Sequence, residues 1–227
     1  MQSISTSTEY RENEMVKKKD QSYAASLEID YPGVLDRFTT FFRLIWALPI
    51  VLIFAVLTAG GEMMRDEAGK YTATSFGGIV IGLFVATALM IVFRERYPKW
   101  WFDFNLELNR FSMRITAYLL LLTDQYPSTV EKQTVHLDLK DPDTKRDLNR
   151  WLPLVKWLWA LPHYVVLIVL VIVAVVASVL AWFAILITGR YPRSLFDFIV
   201  GVNRWGLRVA AYATLLVTDK YPPFSLK

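Results

Sequence analysis

One passage is written twice in this chain. RYPKWWFDFNLELNRFSMRITAYLLLLTDQYP at 96–127 returns as RYPRSLFDFIVGVNRWGLRVAAYATLLVTDKYP at 190–222. Upstream, RLIWALP at 43–49 returns as KWLWALP at 156–162, and LEIDYP at 27–32 has an echo in LDLKDP at 137–142. The order is the same both times. One unit of roughly 90–110 residues has therefore been duplicated head to tail, and the two halves share one architecture.

That architecture is set by where charge is missing. The chain has 227 residues, 54% of them hydrophobic. Residues 38–58 carry a single charge, Arg43. Residues 76–93 carry none, and that stretch is just long enough to cross a hydrocarbon core roughly 30 Å thick. Residues 157–187 also carry none. A soluble protein of this size could not enclose three such segments, so the expectation is an all-α membrane protein. The absence of cysteine excludes disulfides and thiol chemistry. The net charge of +4 is what basic flanks of membrane segments produce, and it calls for no nucleic-acid partner.

The chain divides as follows. Residues 1–26 are polar, include Lys17, Lys18 and Lys19, and read as a disordered tail rather than a secretory signal. The first repeat covers 27–127, with a membrane hairpin at 34–93 and an amphipathic helix at 100–122. A linker at 128–134 follows. The second repeat covers 135–223, with a hairpin at 151–188 and an amphipathic helix at 195–217. Each repeat opens with a short alternating stretch, 27–30 or 135–139, that suggests a strand. The two strands could pair with each other outside the bilayer. In the first repeat a polar loop, 60–73, joins the two membrane arms. In the second the WALP-to-RYP spacing is shorter and that loop is gone.

Lys and Arg placement gives the orientation. Arg94, Arg96 and Lys99 follow the first hairpin; Arg150, Lys156, Arg190 and Arg193 bracket the second. The 60–73 loop has only Arg65 and Lys70 against Glu62, Asp66 and Glu67. Each hairpin therefore goes out and back, both termini are cytoplasmic, and the amphipathic helices lie at the cytoplasmic interface. The second hairpin has no Gly, Pro or Asn at its turn; the small residues at 174–178 are the best candidates. The alternative is one continuous helix of about 36 residues, spanning about 54 Å at 1.5 Å per residue. That would exceed the bilayer and separate the two basic ends, so the hairpin is preferred.

On the first amphipathic helix, Asp103, Glu107, Arg110 and Arg114 fall on a narrow arc at 100° per residue; Asp197, Gly201, Arg204 and Arg208 repeat it. Charges at membrane depth are costly unless paired. The expectation is that Asp103 and Asp197 pair with arginines of the same or the other repeat and tie the two helices together. The alternative is that Arg110, Arg114, Arg204 and Arg208 hold phosphate headgroups of anionic lipids, which guanidinium forks match. Asn109 and Asn203 are expected to bond neighbouring helices. Pro49 and Pro162 would kink the first arm of each hairpin. Trp100, Trp101 and Trp151 fall at the interfaces, as an aromatic belt does.

Catalytic groupings are absent. His136 and His163 have no partners at metal-ligand spacing, and there is no nucleophile elbow, P-loop or dinucleotide fingerprint. Thr-Asp-x-Tyr-Pro occurs at 123–127 and 218–222, where Thr and Asp suit local turn bonds. No cofactor and no metal are expected.

The RYP…FDF…NR…AY…TD-x-YP pattern resembles a bacterial membrane family known as a domain of unknown function, numbered four-three-eight-nine. The resemblance covers both repeats and implies a multi-pass protein of the bacterial inner membrane. It supplies no activity, cofactor or site residues. The expected role is that of a non-enzymatic scaffold or accessory subunit, partnered by a membrane protein or by copies of itself. The alternative is lipid binding or membrane shaping through the Arg-bearing helices. A small channel or transporter is a third class, disfavoured by the missing polar membrane lining.

Overall fold

The computed structural model describes residues 23–58, 61–65, 71–75, 78–129 and 131–227. Among these residues the chain is mostly helical, with seven helices and two two-stranded sheets. In order they are β1 (Ala25–Ile29), α1 (Arg37–Phe41), α2 (Arg43–Thr58), β2 (Gly61–Arg65), β3 (Tyr71–Ser75) and α3 (Gly78–Arg94). There follow α4 (Lys99–Leu119), β4 (Val135–Leu139), α5 (Pro153–Trp159), α6 (Leu161–Thr188) and α7 (Arg193–Ala213).

The alternation in the first and fourth strands is what pairs them. β1 and β4 run antiparallel, with Leu27 opposite Leu137. Ala25, Leu27, Ile29, Val135, Leu137 and Leu139 are buried on one face, while Glu28, His136 and Asp138 are exposed on the other. Ala25 and Ser26 were expected in the tail. They belong to β1, because Ala25 extends the buried alternation and lies opposite Leu139. The rest of the tail, 1–22, lies outside the described residues.

The segment at 151–188 departs from the expected hairpin. Residues 161–188 form one uninterrupted helix, α6, which by length and composition could cross a membrane. Nothing in 161–188 supplies a turn. The small residues Ala174, Ala177, Ser178 and Ala181 instead recur at helical spacing as a buried stripe. The helix ends at Gly189, which takes the left-handed conformation (φ +72°) that a glycine reaches without strain. Pro162 does not kink a helix. It lies in the first turn of α6, where its missing N–H has no intrahelical partner to lose. Pro49 lies inside α2, which runs from Arg43 to Thr58.

In the first half the same course is broken. Residues 48–58 of α2, together with the 17 residues of α3, correspond in length to the 28 residues of α6. The expected 60–73 loop holds two strands instead, β2 paired antiparallel with β3. The end of α2 and the start of α3 meet over the middle of α4, around a cavity of about 240 Å³ lined in part by Phe54, Thr58, Leu83 and Asn109.

Three layers result. Helices α2, α3, α5 and α6 form an apolar layer. Helices α4 and α7 form the middle: α2 packs on α4, and α6 packs on α7. The β1–β4 ribbon covers the far side, with β1 on α7 and β4 on α4. The strand from each half thus packs on the helix from the other half. The outer layer buries little of itself. Leu44, Leu52, Val56, Phe93, Val165 and Ile187 are all more than 60% exposed.

Candidate functional site: two buried cations and an arginine-held ribbon

Arg43 opens α2 and is 2% exposed. Its Nη1 donates to the Thr123 carbonyl at 2.6 Å, and its Nη2 pairs with Asp124. The guanidinium carbon stands 4.3 Å from the centre of the Tyr118 ring. Asp124 also accepts the Asp36 N–H at 2.8 Å, and Asp36 in turn caps α1 by accepting from the Phe38 N–H.

The second half has a cluster of the same plan. Lys156, fully buried, donates from Nζ to the Thr218 carbonyl at 2.8 Å and pairs with Asp219 at 2.6 Å. Its ammonium stands 5.3 Å from the Tyr212 ring centre. Asp219 accepts the Asn149 N–H. In both clusters a leucine just past the helix end, Leu121 (φ +64°) or Leu216 (φ +56°), takes the left-handed conformation. That conformation costs a leucine on the order of 1–3 kcal/mol. The chain turns there, and the following Thr-Asp reaches back to the cation. These turns also end the amphipathic helices earlier than the expected 122 and 217.

Sequence reasoning assigned Thr123, Asp124, Thr218 and Asp219 to local turn bonds. Those bonds exist: the Gln125 N–H donates to Thr123 Oγ1, and the Lys220 N–H to Thr218 Oγ1. The cation partners were missed. The available signal was that each WALP motif is preceded by the lone cation of an otherwise uncharged stretch, Arg43 in 38–58 and Lys156 in 151–188, and such a charge must find an anion.

The carboxylates of the stripe do not tie the two amphipathic helices together as expected. Asp103 does not pair with an arginine; Lys99 lies 3.8 Å away, both side chains being exposed. Asp197 pairs with Arg193 of its own helix at 3.3 Å. Both aspartates lie one turn into their helices, and neither ties α4 to α7. The arginines do the holding. Arg110 Nε donates to the Leu137 carbonyl in β4 at 2.8 Å, and its other nitrogens reach Glu107 (2.7 Å) and Asp138 (2.6 Å). Arg204 Nε donates to the Leu27 carbonyl in β1 at 3.0 Å. Arg114 donates to the Ser128 carbonyl and Arg208 to the Ser225 carbonyl (2.7 Å). Burial, then the neighbouring Arg204, lowers the pKa of Arg208 from its ordinary value.

Gly201 stands where the other helix has Glu107. A Cβ there would meet the Leu226 carbonyl oxygen at 2.8 Å, so the C-terminal segment crosses α7 against bare backbone.

The RYP tyrosines bridge the halves. Tyr97 donates to the Leu215 carbonyl (3.2 Å) and Tyr191 to the Leu120 carbonyl (3.3 Å). Burial pushes both phenols up to about 12. Asn109 and Asn203 do not reach neighbouring helices; each amide donates one turn back, to the carbonyls of Asn105 and Ile199. Trp100 and Trp151 are exposed, while Trp101 donates to Thr87 Oγ1 at 2.8 Å. His163 is buried against Phe224 and accepts from Trp205 Nε1 at 3.1 Å. Among the described residues no group of His, Asp or Glu is placed to hold a metal ion.

Residues 151–225 match the family model described as Domain of unknown function (DUF4389). The match takes in Lys156, Tyr191, Arg204 and Asp219, so the resemblance read from the motifs holds over this segment. No curated protein and no solved structure matches the chain.

Proposed function

We propose that the chain is a non-enzymatic scaffold or accessory subunit of the bacterial cytoplasmic membrane, built from two tandem copies of one unit. The observation that carries this is the outer layer. Across α2, α3, α5 and α6 the exposed positions are almost continuously large and apolar, from Leu44 to Val56, Val80 to Phe93 and Leu154 to Ile187. Apolar patches on soluble monomers rarely exceed a few hundred Å², so this face belongs against lipid or another membrane protein. The tandem reading is supported by the two cation clusters, the paired left-handed leucines and the crossed tyrosine bonds. Each of these devices occurs once per half, at positions the duplicated motifs share. The two halves exchange strands, which suits a rigid platform.

The test is extraction from native membranes with a mild detergent, followed by native mass spectrometry. A defined hetero-complex or homo-oligomer is expected. A lone monomer with no co-purifying protein would remove the scaffold role and leave the lipid-directed alternative. Ion flux across proteoliposomes containing the purified chain would instead favour a channel.

A further inference from the structure

The apolar layer and the charged ribbon lie on opposite sides of the same two middle helices, and their relation fixes an orientation. Helices α6 and α7 are joined by the short turn at 189–192 and pack on each other antiparallel. The start of α6, at Tyr164 and the preceding Ala160, meets Trp205, Val209 and Tyr212 in the second half of α7, and its Ala174–Ile185 stretch shares a core with Phe196 and Ile199 near the start of α7. Arg204 falls near the middle of α7 and holds β1 at Leu27. Glu28, His136 and Asp138 are exposed on that ribbon.

If α6 stood along the membrane normal, α7 and the ribbon would stand beside it. Arg204 and the exposed Glu28 and Asp138 would then sit near the bilayer centre, where ionised groups are rare and costly. Turning the molecule so that α6 lies flat removes this conflict. The apolar layer then faces the acyl chains, and the ribbon, more than one helix diameter away, stays in water. This also resolves the separation of the basic ends. A 28-residue helix is about 42 Å long. Crossing the bilayer would place Arg150 on one side and Arg190 with Arg193 on the other. Lying flat keeps them all at one surface. Arg94 and Arg96, at the exit from α3, join the same rim; all five are exposed.

We infer that the protein is seated in a single leaflet, with α6 in the membrane plane and a rim of Arg94, Arg96, Arg150, Arg190 and Arg193 facing anionic phospholipid headgroups. This rests on the membrane reading above and replaces crossing with immersion. In-plane amphipathic elements bind by apolar area plus attraction to anionic lipid.

The chain has no cysteine, so single-cysteine variants are clean probes. V165C, I172C and V179C place labels along the exposed side of α6. The full chain is reconstituted in phosphatidylethanolamine/phosphatidylglycerol vesicles and quenched by lipids brominated at shallow or deep acyl positions. The expected result is the same quenching profile at all three positions. Deepest quenching at I172C, falling off toward both ends, would overturn the proposal in favour of a crossing helix. Labels that no lipid quenches in membrane-bound protein would overturn it in favour of a protein-covered face. Protein left in the supernatant after centrifugation would sink the membrane reading itself. Replacing Arg190 and Arg193 with Gln should weaken partitioning into the anionic vesicles about five-fold for each arginine lost. Unchanged partitioning would remove the rim from the proposal.

Discussion

The Lys156 ammonium lies 2.6 Å from the Asp219 carboxylate, and the Lys156 side chain is wholly enclosed. Removing one member of such a pair strands a charge. Asp219→Asn should destabilise the protein by about 3–5 kcal/mol, and Lys156→Met together with Asp219→Asn by clearly less. Thermal unfolding of the purified protein, set out as a double-mutant cycle, measures the difference. Additive effects would mean the pair is not energetically coupled. Because Lys156 fills the place that Arg43 fills in the other half, Arg43→Lys should be milder than Arg43→Met.

The stripe on α4 and α7 separates two kinds of charge. Asp103 has an exposed lysine at 3.8 Å, and exposed pairs contribute about 0–1 kcal/mol. Asp103→Ala should therefore leave stability within about 1 kcal/mol of the parent. Arg204→Met removes the bond to the Leu27 carbonyl, and the β1 amides should then exchange with deuterium faster than those of α7. Equal protection in the mutant and the parent would show that packing alone holds the strand.

Alkaline pH should loosen the joint between the halves. Tyr97 and Tyr191 carry folded pKa values of about 12, against 10.0 for a free phenol, chiefly through burial. The folded state holds these protons more tightly than the unfolded chain. Their contribution is thus complete below pH 10 and is lost as pH rises from 10 to 12. Unfolding midpoints followed over that window should fall. They should fall less for the Tyr97→Phe/Tyr191→Phe double variant.

Gly201→Ala should displace the C-terminal segment, since the new Cβ would meet the Leu226 carbonyl at 2.8 Å. Limited proteolysis should then cleave after 222 more readily than in the parent. In a chain truncated after Pro222 the same substitution should cost nothing, and helix propensity favours alanine by up to about 1 kcal/mol. A cost that persists in the truncated chain would place the clash elsewhere.

Excising 59–77 and joining Thr58 to Gly78 should give a folded protein. The junction would restore the uninterrupted course that α6 follows in the other half. Circular dichroism of the purified variant should show every helix retained, so that the helical fraction of the shortened chain rises, and loss of the folded protein would argue that the two halves are not equivalent.

Much of this was readable from the residues. Alternation in Leu27–Ile29 and Val135–Leu139 announced two strands, and the amphipathic arcs placed α4 and α7 to within a few residues. The second hairpin was misjudged because a turn was inferred from the bilayer's thickness and the rule for basic ends. The chain itself offered only helix formers and a small-residue stripe at 174–181. The tie between the two amphipathic helices was misjudged because spacing on one helix cannot reveal a strand lying across it. Arg110 and Arg204 each reach a strand carbonyl, which every residue has, so no side-chain pattern marks those two bonds.

The crossed strands set the order of assembly. β1 leaves the ribosome first, but its hydrogen-bonding partner β4 comes more than 100 residues later, and the helix that β1 covers comes later still. Neither half can reach its native packing alone. The amino-terminal half must wait, with an unsatisfied strand edge, until synthesis is nearly finished. Such an edge invites pairing with other chains, and long-range closure is slow. For this chain, prompt capture of the apolar arms by a membrane would hold the first half in place while the second is made.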